Sequence, residues 1–290
     1  MIVFLSLLAA ALFGFGVAFQ QRAAANEPDE VLLRAGLLIR LARRPLWLLG
    51  LSADVVGFVL QAAALRRGSL VLVQPLLVLS VVFSLGMAAA LAHTRISVID
   101  WIGVVAVVAG LTGFLLAASP TDQSDGVTSA DRWALLFLVL LGVVGALALT
   151  ALRVQPPART VLLALCGGLA EAGMAVVTKA FATRLEHGWW RVLDSWEPYA
   201  LAAGGILTML LLQSAYQAGH VMLSVPLIAV VEPIASSLIG VSLFHERIET
   251  GFGRGLAVAA GVAICVAGLS RLGRAPLLVP ADDERLALKQ

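Results

Sequence analysis

The sequence predicts an all-α protein, a polytopic membrane helix bundle of about nine spans. Of its 290 residues, 60% are hydrophobic and only 13% are charged, and the mean hydropathy is +0.96. A soluble domain carries about 25% charged residues, so this chain has too little polar surface to cover a globule. The apolar residues also form continuous runs, unlike the alternating pattern of barrel strands. These observations argue against soluble enzymes, nucleic-acid-binding proteins and disordered chains.

Nine apolar stretches are long enough to cross a bilayer, for which a helix needs about 20 residues. They cover residues 2–19, 46–65, 70–92, 98–118, 133–152, 160–181, 199–216, 221–244 and 255–272. The six tryptophans lie at the ends of these stretches or in the loops between them. Such placement is typical of membrane helices, whose tryptophans occupy the membrane–water interfaces.

Basic residues are distributed unequally between the two sides that nine crossings define. With Arg271, at the end of the last span, counted with the tail, the side of the C-terminal tail carries 12 lysine and arginine residues, and the other side carries 7. Because positive residues accumulate in cytoplasmic loops, we expect the N-terminus outside the cell membrane and the C-terminus in the cytoplasm. The first loop contains a basic, leucine-rich segment, residues 31–45. We interpret it either as an interfacial helix on the anionic leaflet or as a plain connector.

The two halves of the chain repeat one another. At an offset of 151 residues, the matches include Gly68 with Gly219, Pro75 with Pro226, and Gly110 with Gly261. Spans one and six match at an offset of 157. Five crossings separate the start of the first repeat from the start of the second, and because this number is odd, the second repeat is inverted relative to the first. Inverted repeats are an architecture that lets a carrier alternate between the two faces of a membrane.

This repeat divides the chain into four parts. Residues 1–118 form the first four-helix repeat, and residues 119–159 form an external acidic loop followed by a linking span. Residues 160–272 form the second, inverted four-helix repeat, and residues 273–290 form a cytoplasmic tail.

Two segments resemble those of a known family. Residues 47–85 read WLLGLSADVVGFVLQAAALRRGSLVLVQPLLVLSVVFSL and precede TRISVIDWIGVVAVVAG. They are similar to NIPA-type members of the drug/metabolite transporter (DMT) superfamily. The later segment FHERIETGFGRGLAVAAG, with Glu246 and Arg247 before the last span, resembles the hairpin signature of EamA-like domains; the first half has Thr94 and Arg95 there. The resemblance covers most of the chain and implies a transporter.

Three carboxylates lie near the centres of predicted spans, Asp54 in span two, Glu171 in span six and Glu232 in span eight. A charge at that depth costs about 3 kcal/mol on insertion scales. We therefore interpret Glu171 and Glu232 as groups that couple transport to protons or cations, or that bind a cationic substrate. The alternative is a protonated acid that is hydrogen-bonded to a neighbouring helix, and both interpretations stay open for Asp54.

Neutral polar residues extend this candidate site. Gln61 lies in span two, and Gln213, Tyr216 and Gln217 lie in span seven at spacings of three and four, which place them on one helix face. We expect that face to point into the bundle, where a hydrogen bond between helices is the alternative role for each side chain. The candidate hinge residues, expected to bend helices near a central cavity, are Pro75, Pro226 and Pro233.

The sequence therefore predicts a secondary-active transporter of a small molecule or metabolite, and not an enzyme. The four histidines are isolated, and no Lys-Ser/Thr pair follows the glycine-rich segments, as a phosphate-binding loop requires. We expect no cofactor and no resident metal, so uphill transport must draw on an ion gradient or on the substrate's own gradient. The expected partners are the substrate, protons or cations, and the lipid bilayer, with no nucleic acid; a homodimer is left open.

Two alternative functions stay open at this point. The resemblance to NIPA-type proteins, which are described as magnesium transporters, suggests a divalent-cation transporter with Asp54, Glu171 and Glu232 as oxygen ligands. The other alternative is a flippase for a lipid-linked sugar. It would use cytoplasmic cations, for which the candidates are Arg40, Arg43 and Arg44.

The predicted orientation can be tested with single cysteines at Ser124 and Ala281 in a variant that lacks Cys166 and Cys265. An impermeant thiol reagent applied to intact cells should label position 124, in the external loop, and should leave position 281 unlabelled. The reverse labelling pattern would overturn the orientation.

Overall fold

The computed structural model describes residues 1–28, 31–65, 73, 76–94, 96–118, 120–121, 129–186, 194–218, 221–244, 247–248, 252–272 and 274. Within these residues the chain forms ten helices and one pair of two-residue strands. In chain order they are α1 (Ile2–Ala24), α2 (Ala35–Leu41), α3 (Pro45–Leu65), α4 (Ser80–Leu91), α5 (Val98–Ala117), β1 (Pro120–Thr121), α6 (Ala130–Ala151), α7 (Ala158–Glu186), α8 (Glu197–Gln217), α9 (Val221–Phe244), β2 (Arg247–Ile248) and α10 (Phe252–Leu272).

Most of these helices have the length and composition of membrane spans. Seven of those described are long and apolar enough to cross a membrane, namely α1, α5, α6, α7, α8, α9 and α10. The apolar parts described for α3 and α4 are shorter, Pro45–Gln61 and Ser80–Leu91. The prediction of an all-α, multi-pass membrane protein is therefore confirmed, whereas the number nine stays a prediction.

The third predicted span differs from the continuous run over residues 70–92. Val78 and Leu79 form a turn, in which the Leu79 amide donates to the Leu76 carbonyl at 3.2 Å and the Val81 amide donates to the Val78 carbonyl at 3.1 Å. Helix α4 begins only after this turn, at Ser80. Irregular backbone is tolerated at membrane depth where it is buried in protein or lines a cavity. Gly68, in the predicted hairpin before this span, and Pro75, near its start, lie outside the described residues.

The helices pack in two groups of three and one separate pair. Helix α1 lies against α3 and α4, and α7 lies against α8 and α9. The pair consists of α5 and α10. Helix α6, the predicted linking span, packs on α7, and its other faces are exposed, as at Leu135 and Leu138. Such a surface is suited to contact with lipid.

Helices α5 and α10 cross at glycines. A Cβ atom added to Gly110 would lie 2.6 Å from the Gly261 carbonyl oxygen, and one added to Gly261 would lie 2.8 Å from the Gly110 carbonyl oxygen. Further along, a Cβ on Gly268 would meet the Gly103 carbonyl oxygen at 2.8 Å. Residues 103 and 110 thus meet 268 and 261 in reverse order, so the two helices are antiparallel. Small residues permit this close approach.

Polar contacts secure both ends of the α5–α10 pair. At one end Ser97 caps α5, because its hydroxyl accepts from the Asp100 amide at 3.1 Å and donates to the Asp100 carboxylate at 2.6 Å. The other carboxylate oxygen of Asp100 lies 2.9 Å from the Arg271 guanidinium near the end of α10. At the opposite end of α5, strand β1 pairs with strand β2, which precedes α10.

The first loop packs onto the bundle rather than running free. In α2 the side chains of Leu37 and Leu41 are fully buried, and the helix contacts α8. The Gln217 amide at the end of α8 donates to the Pro28 carbonyl at 2.6 Å, and the Leu33 amide donates to the Ser214 hydroxyl at 3.2 Å. Leu32, Leu37 and Leu41 of this basic segment are therefore buried within the protein itself.

We expect Gly110→Ala to destabilise the protein, since the new methyl group would meet backbone atoms that cannot move aside. Overpacking of this kind typically costs about 1–3 kcal/mol. The matched control is Gly113→Ala, one turn further along α5, because a Cβ atom there meets nothing within 4 Å. The measurement is the thermal unfolding midpoint of the detergent-solubilised protein. Equal midpoints for the two variants would contradict the close crossing.

Candidate functional site

A cavity of about 370 Å³ lies between the two groups of helices, and α1, α3, α4, α5, α7, α8 and α9 all contribute to its walls. Most of the side chains that line it are apolar. The polar exceptions are Gln61, Ser80, Ser84, Glu171, Tyr216 and Glu232. An apolar pocket with a few placed polar groups, in the range of about 300–1,000 Å³, is typical of sites for small molecules.

The cavity brings together most of the residues that the sequence singled out. Gln61, Glu171, Tyr216 and Glu232 line it, and so does Pro233. The other candidates lie elsewhere: Pro226 is buried inside α9, Asp54 and Gln213 belong to a neighbouring polar cluster, and Pro75 is outside the described residues.

A close helix crossing brings the two glutamates to the same cavity. A Cβ atom on Gly168 of α7 would lie 2.8 Å from the Cβ atom of Val231 in α9. Gly168 lies three residues before Glu171, and Val231 directly precedes Glu232. Both carboxylates are half-buried, and they are close enough for their charges to interact. The crossing of α7 and α9 therefore creates a cavity with two acidic groups.

Proline in α9 adds a further polar feature to the wall. Pro233 has no amide hydrogen, so it cannot donate to the Ala229 carbonyl one turn earlier. Ala229 and Pro233 both line the cavity. The Ala229 carbonyl therefore lacks its usual donor within the helix.

A second polar cluster joins three helices beside the cavity. The Gln20 amide nitrogen of α1 donates to the Asp54 carboxylate of α3, and the Gln20 amide oxygen accepts from the Gln213 amide nitrogen of α8 at 2.6 Å. Gln20 and Gln213 are both buried. Asp54 is close enough to Glu171 for their charges to interact. We call this set the Asp54–Gln20–Gln213 chain.

Glycines again explain how the Asp54–Gln20–Gln213 chain forms. A Cβ atom on Gly50 would lie 2.7 Å from the Gly16 carbonyl oxygen, so α1 and α3 are in backbone contact there. Gln20 lies four residues after Gly16, and Asp54 lies four residues after Gly50. Because residues four apart share a helix face, the two polar side chains meet beside the crossing.

Gln20 was missed by the sequence analysis because the predicted first span ends at residue 19, before this side chain. One feature of the sequence could have identified Gln20. It lies four residues after Gly16 and therefore on the same helix face as a glycine that permits close helix packing. The predicted inward face of α8 is observed directly, since Gln213, Tyr216 and Gln217 are all buried.

A buried acid in the first loop holds two of the three arginines proposed for a flippase. The Glu27 carboxylate lies 2.8 Å from the Arg44 guanidinium and 3.8 Å from that of Arg40. The Glu27 side chain is 2% exposed, whereas both arginine side chains are more than half exposed. These arginines therefore neutralise a carboxylate of the protein and help to fix the loop on α8.

The carboxylates do not form a preformed metal site. Within the described part of the chain, no group of three or more His, Cys, Asp or Glu side chains is arranged so that it could hold a metal ion. A calcium ion takes six to eight oxygen ligands, and magnesium requires a near-octahedral set. The arrangement of Asp54, Glu171 and Glu232 thus gives the divalent-cation alternative no geometric support.

Comparison with known proteins adds similarity without an activity. A protein of Corynebacterium glutamicum, described as uncharacterized, is 27% identical over 286 residues, which cover 98% of each chain. The similarity therefore spans all the helices described above. No protein-family description matches this chain. No solved structure matches it.

We expect Gln20→Met to destabilise the protein, because it leaves the half-buried Asp54 carboxylate and the buried Gln213 amide without this partner. The loss of a hydrogen bond to a charged group costs about 1–3 kcal/mol. In a Gln213→Met background the same change should cost less, because contacts within one network are not additive. Thermal unfolding in detergent measures both effects. The control is Gln155→Met, at an exposed position. Equal shifts of the unfolding midpoint for Gln20→Met and Gln155→Met would rule out the bridging role.

Proposed function

We propose that the protein is a secondary-active membrane transporter of a small molecule, and that the cavity is its substrate site. The observation that carries the proposal is the presence of Glu171 and Glu232 in one cavity inside an apolar helix bundle. Ionisable groups are costly at membrane depth and mark substrate or ion pathways. The mainly apolar walls with few polar groups suit a small organic solute. The proposal assigns no enzymatic activity.

The packing of the helices supports an inverted-repeat carrier of nine spans. In the first proposed repeat α1 packs on α3 and α4, and in the second α7 packs on α8 and α9. The fourth helices of the repeats, α5 and α10, cross antiparallel at Gly110 and Gly261, the pair that the sequence repeat aligns. A two-fold axis in the membrane plane makes equivalent spans antiparallel, and equivalent residues meet where such a pair lies on the axis. Alternating access around a central site is the motion that such repeats permit.

The same proposal includes a location and a family. The asymmetry of basic residues supports a cell-membrane protein with its N-terminus outside and its C-terminus in the cytoplasm. The order of the repeats, together with the segments at residues 47–85 and around Glu246 and Arg247, supports membership of the DMT superfamily near its EamA-like and NIPA-type branches.

Coupling to a gradient is assigned to the two glutamates. A carboxylate at membrane depth is unfavourable as an ion unless water, a substrate or a partner compensates its charge. In the proposed cycle, Glu171 or Glu232 holds a proton when the cavity faces one side and releases it when the cavity faces the other. Substrate binding and proton binding then compete for the same groups, which links the two movements.

Replacement of Glu171 or Glu232 by glutamine should abolish uphill transport, because glutamine keeps the shape and hydrogen bonding of the side chain but cannot release a proton. Exchange down a substrate gradient should persist in part. Proteoliposomes containing the full-length protein are assayed with a substrate panel, with and without a pH gradient. Asp131→Asn, at the exposed start of α6, is the matched control and should retain uphill transport.

The outcome that contradicts this assignment is uphill accumulation by both glutamine variants at the level of the parent protein. In that case the carboxylates are structural, and the site lies elsewhere. If accumulation instead follows the magnesium concentration and ignores pH, the divalent-cation alternative replaces the proposed coupling.

A further inference from the structure

We infer that the cavity takes an organic cation, an amine or a quaternary ammonium compound with an apolar body. The inference rests on the proposed function and names the class of substrate for the same site. It follows from three features of the cavity, namely the charge of its walls, the chemistry of its apolar surface, and the arrangement of its oxygen atoms.

The charged groups of the cavity are all of one sign. Glu171 and Glu232 line it, and the described residues contribute no lysine, arginine or histidine to its walls. The described arginines with identified acidic partners lie elsewhere, Arg40 and Arg44 on Glu27 and Arg271 on Asp100. A positively charged solute would therefore supply a compensating charge that the described residues of the wall lack. Among these described residues, an anion would meet two carboxylates and no counter-charge.

The apolar walls favour an organic cation over a simple ion. Phe13 and Tyr216 provide two aromatic rings, and the other walls are largely valine, leucine and isoleucine side chains. Aromatic faces attract ammonium groups, and this attraction is strongest where the cation has left water. Burial of an apolar body adds favourable free energy of about 25 cal/mol per Å². A substrate that combines both parts matches both kinds of wall.

An inorganic divalent ion fits the same walls poorly. Magnesium keeps several water molecules and needs an octahedral set of oxygens, and calcium needs six to eight. The cavity offers two carboxylates, one hydroxyl from Tyr216 and the side chains of Gln61, Ser80 and Ser84, spread over five helices. An organic cation, which needs one or two carboxylates and an apolar surface, therefore matches this cavity better than a metal ion that needs a closed shell of oxygens.

The charge of the cavity can be measured at Ser80, which lies in its wall. In full-length protein without Cys166 and Cys265, a single Ser80→Cys variant is treated with two methanethiosulfonate reagents of similar size. One carries a trimethylammonium group and the other a sulfonate. The ratio of the two reaction rates is divided by the same ratio for 2-mercaptoethanol, a thiol with no other charged group, which removes the intrinsic difference between the reagents.

We expect the normalised ratio to favour the cationic reagent by about tenfold or more, as a local negative potential predicts. Adding Glu171→Gln and Glu232→Gln should bring the ratio towards one, whereas Asp131→Asn should leave it unchanged. A ratio near one or below in the protein with both acids intact overturns the inference, and so does a failure of both reagents to react. The single-cysteine comparison stands even where the glutamine variants do not fold.

A direct binding measurement uses two probes of matched shape, benzyltrimethylammonium and phenylmethanesulfonate, titrated into the detergent-solubilised protein by calorimetry. Saturable binding of the ammonium compound and none of the sulfonate is expected. Phe13→Leu should weaken that binding by about threefold to thirtyfold, the range of an aromatic–cation contact. Equal binding of both probes, binding of the sulfonate alone, or binding of neither would overturn the inference.

Failure of this inference can be told apart from failure of the transporter proposal. If benzyltrimethylammonium binds through Glu171 and Glu232 but proteoliposomes neither accumulate nor exchange it, the cation site stands and the transporter proposal fails. If proteoliposomes transport a neutral or anionic solute in a manner that depends on these glutamates, and the ammonium probe does not bind, the transporter proposal stands and the cation inference fails.

Discussion

The hydrocarbon core of a membrane supplies no hydrogen-bond partners, so the buried polar groups of this protein must find theirs on neighbouring helices. This requirement links α1, α3 and α8 through the Asp54–Gln20–Gln213 chain, whereas Asp100 and Arg271 link α5 and α10 at the ends of those helices. A further polar contact holds the first loop on α8, where the Gln217 side-chain amide donates to the Pro28 carbonyl. The position of these helices relative to one another therefore depends on a small number of polar contacts.

Glycine crossings make those contacts reachable. Helices in lipid gain little from hydrophobic association, so close backbone approach through small residues contributes much of their packing. Gly16 and Gly50 bring α1 and α3 together beside Asp54, and Gly168 brings α7 against α9 beside Glu171 and Glu232. Asp54, Glu171 and Glu232 thus each lie within four residues of a point where two helices approach closely.

In the transporter that we propose, the α5–α10 pair and the helices that bound the cavity have different roles. The α5–α10 pair is closely packed, capped by Ser97 and bridged by Asp100 and Arg271, which suits a fixed axis. The cavity is bounded by α4, whose helix begins only after a turn at residues 78–79, and by α9, which contains two prolines. Discontinuous helices are where carriers commonly place their sites, and the turn before α4 is such a discontinuity. Glu232, on α9, would then change surroundings during the cycle.

Hydropathy alone was sufficient for the membrane class and for most helix positions, because a helix in lipid needs a continuous apolar run of fixed length. Residues 221–244 were predicted as a span and are α9. Helix α1 extends to Ala24, past the predicted end at residue 19, because its backbone hydrogen bonds continue where the side chains become polar.

The sequence also singled out Glu171, Glu232, Tyr216 and Gln61, whose polarity is unusual inside apolar runs. Only the tertiary structure decided that these four line one cavity, that Asp54 and Gln213 meet through Gln20, and that Glu27 binds Arg44. The physical reason is that polarity belongs to a single residue, whereas a partner depends on which glycines allow two distant helices to touch.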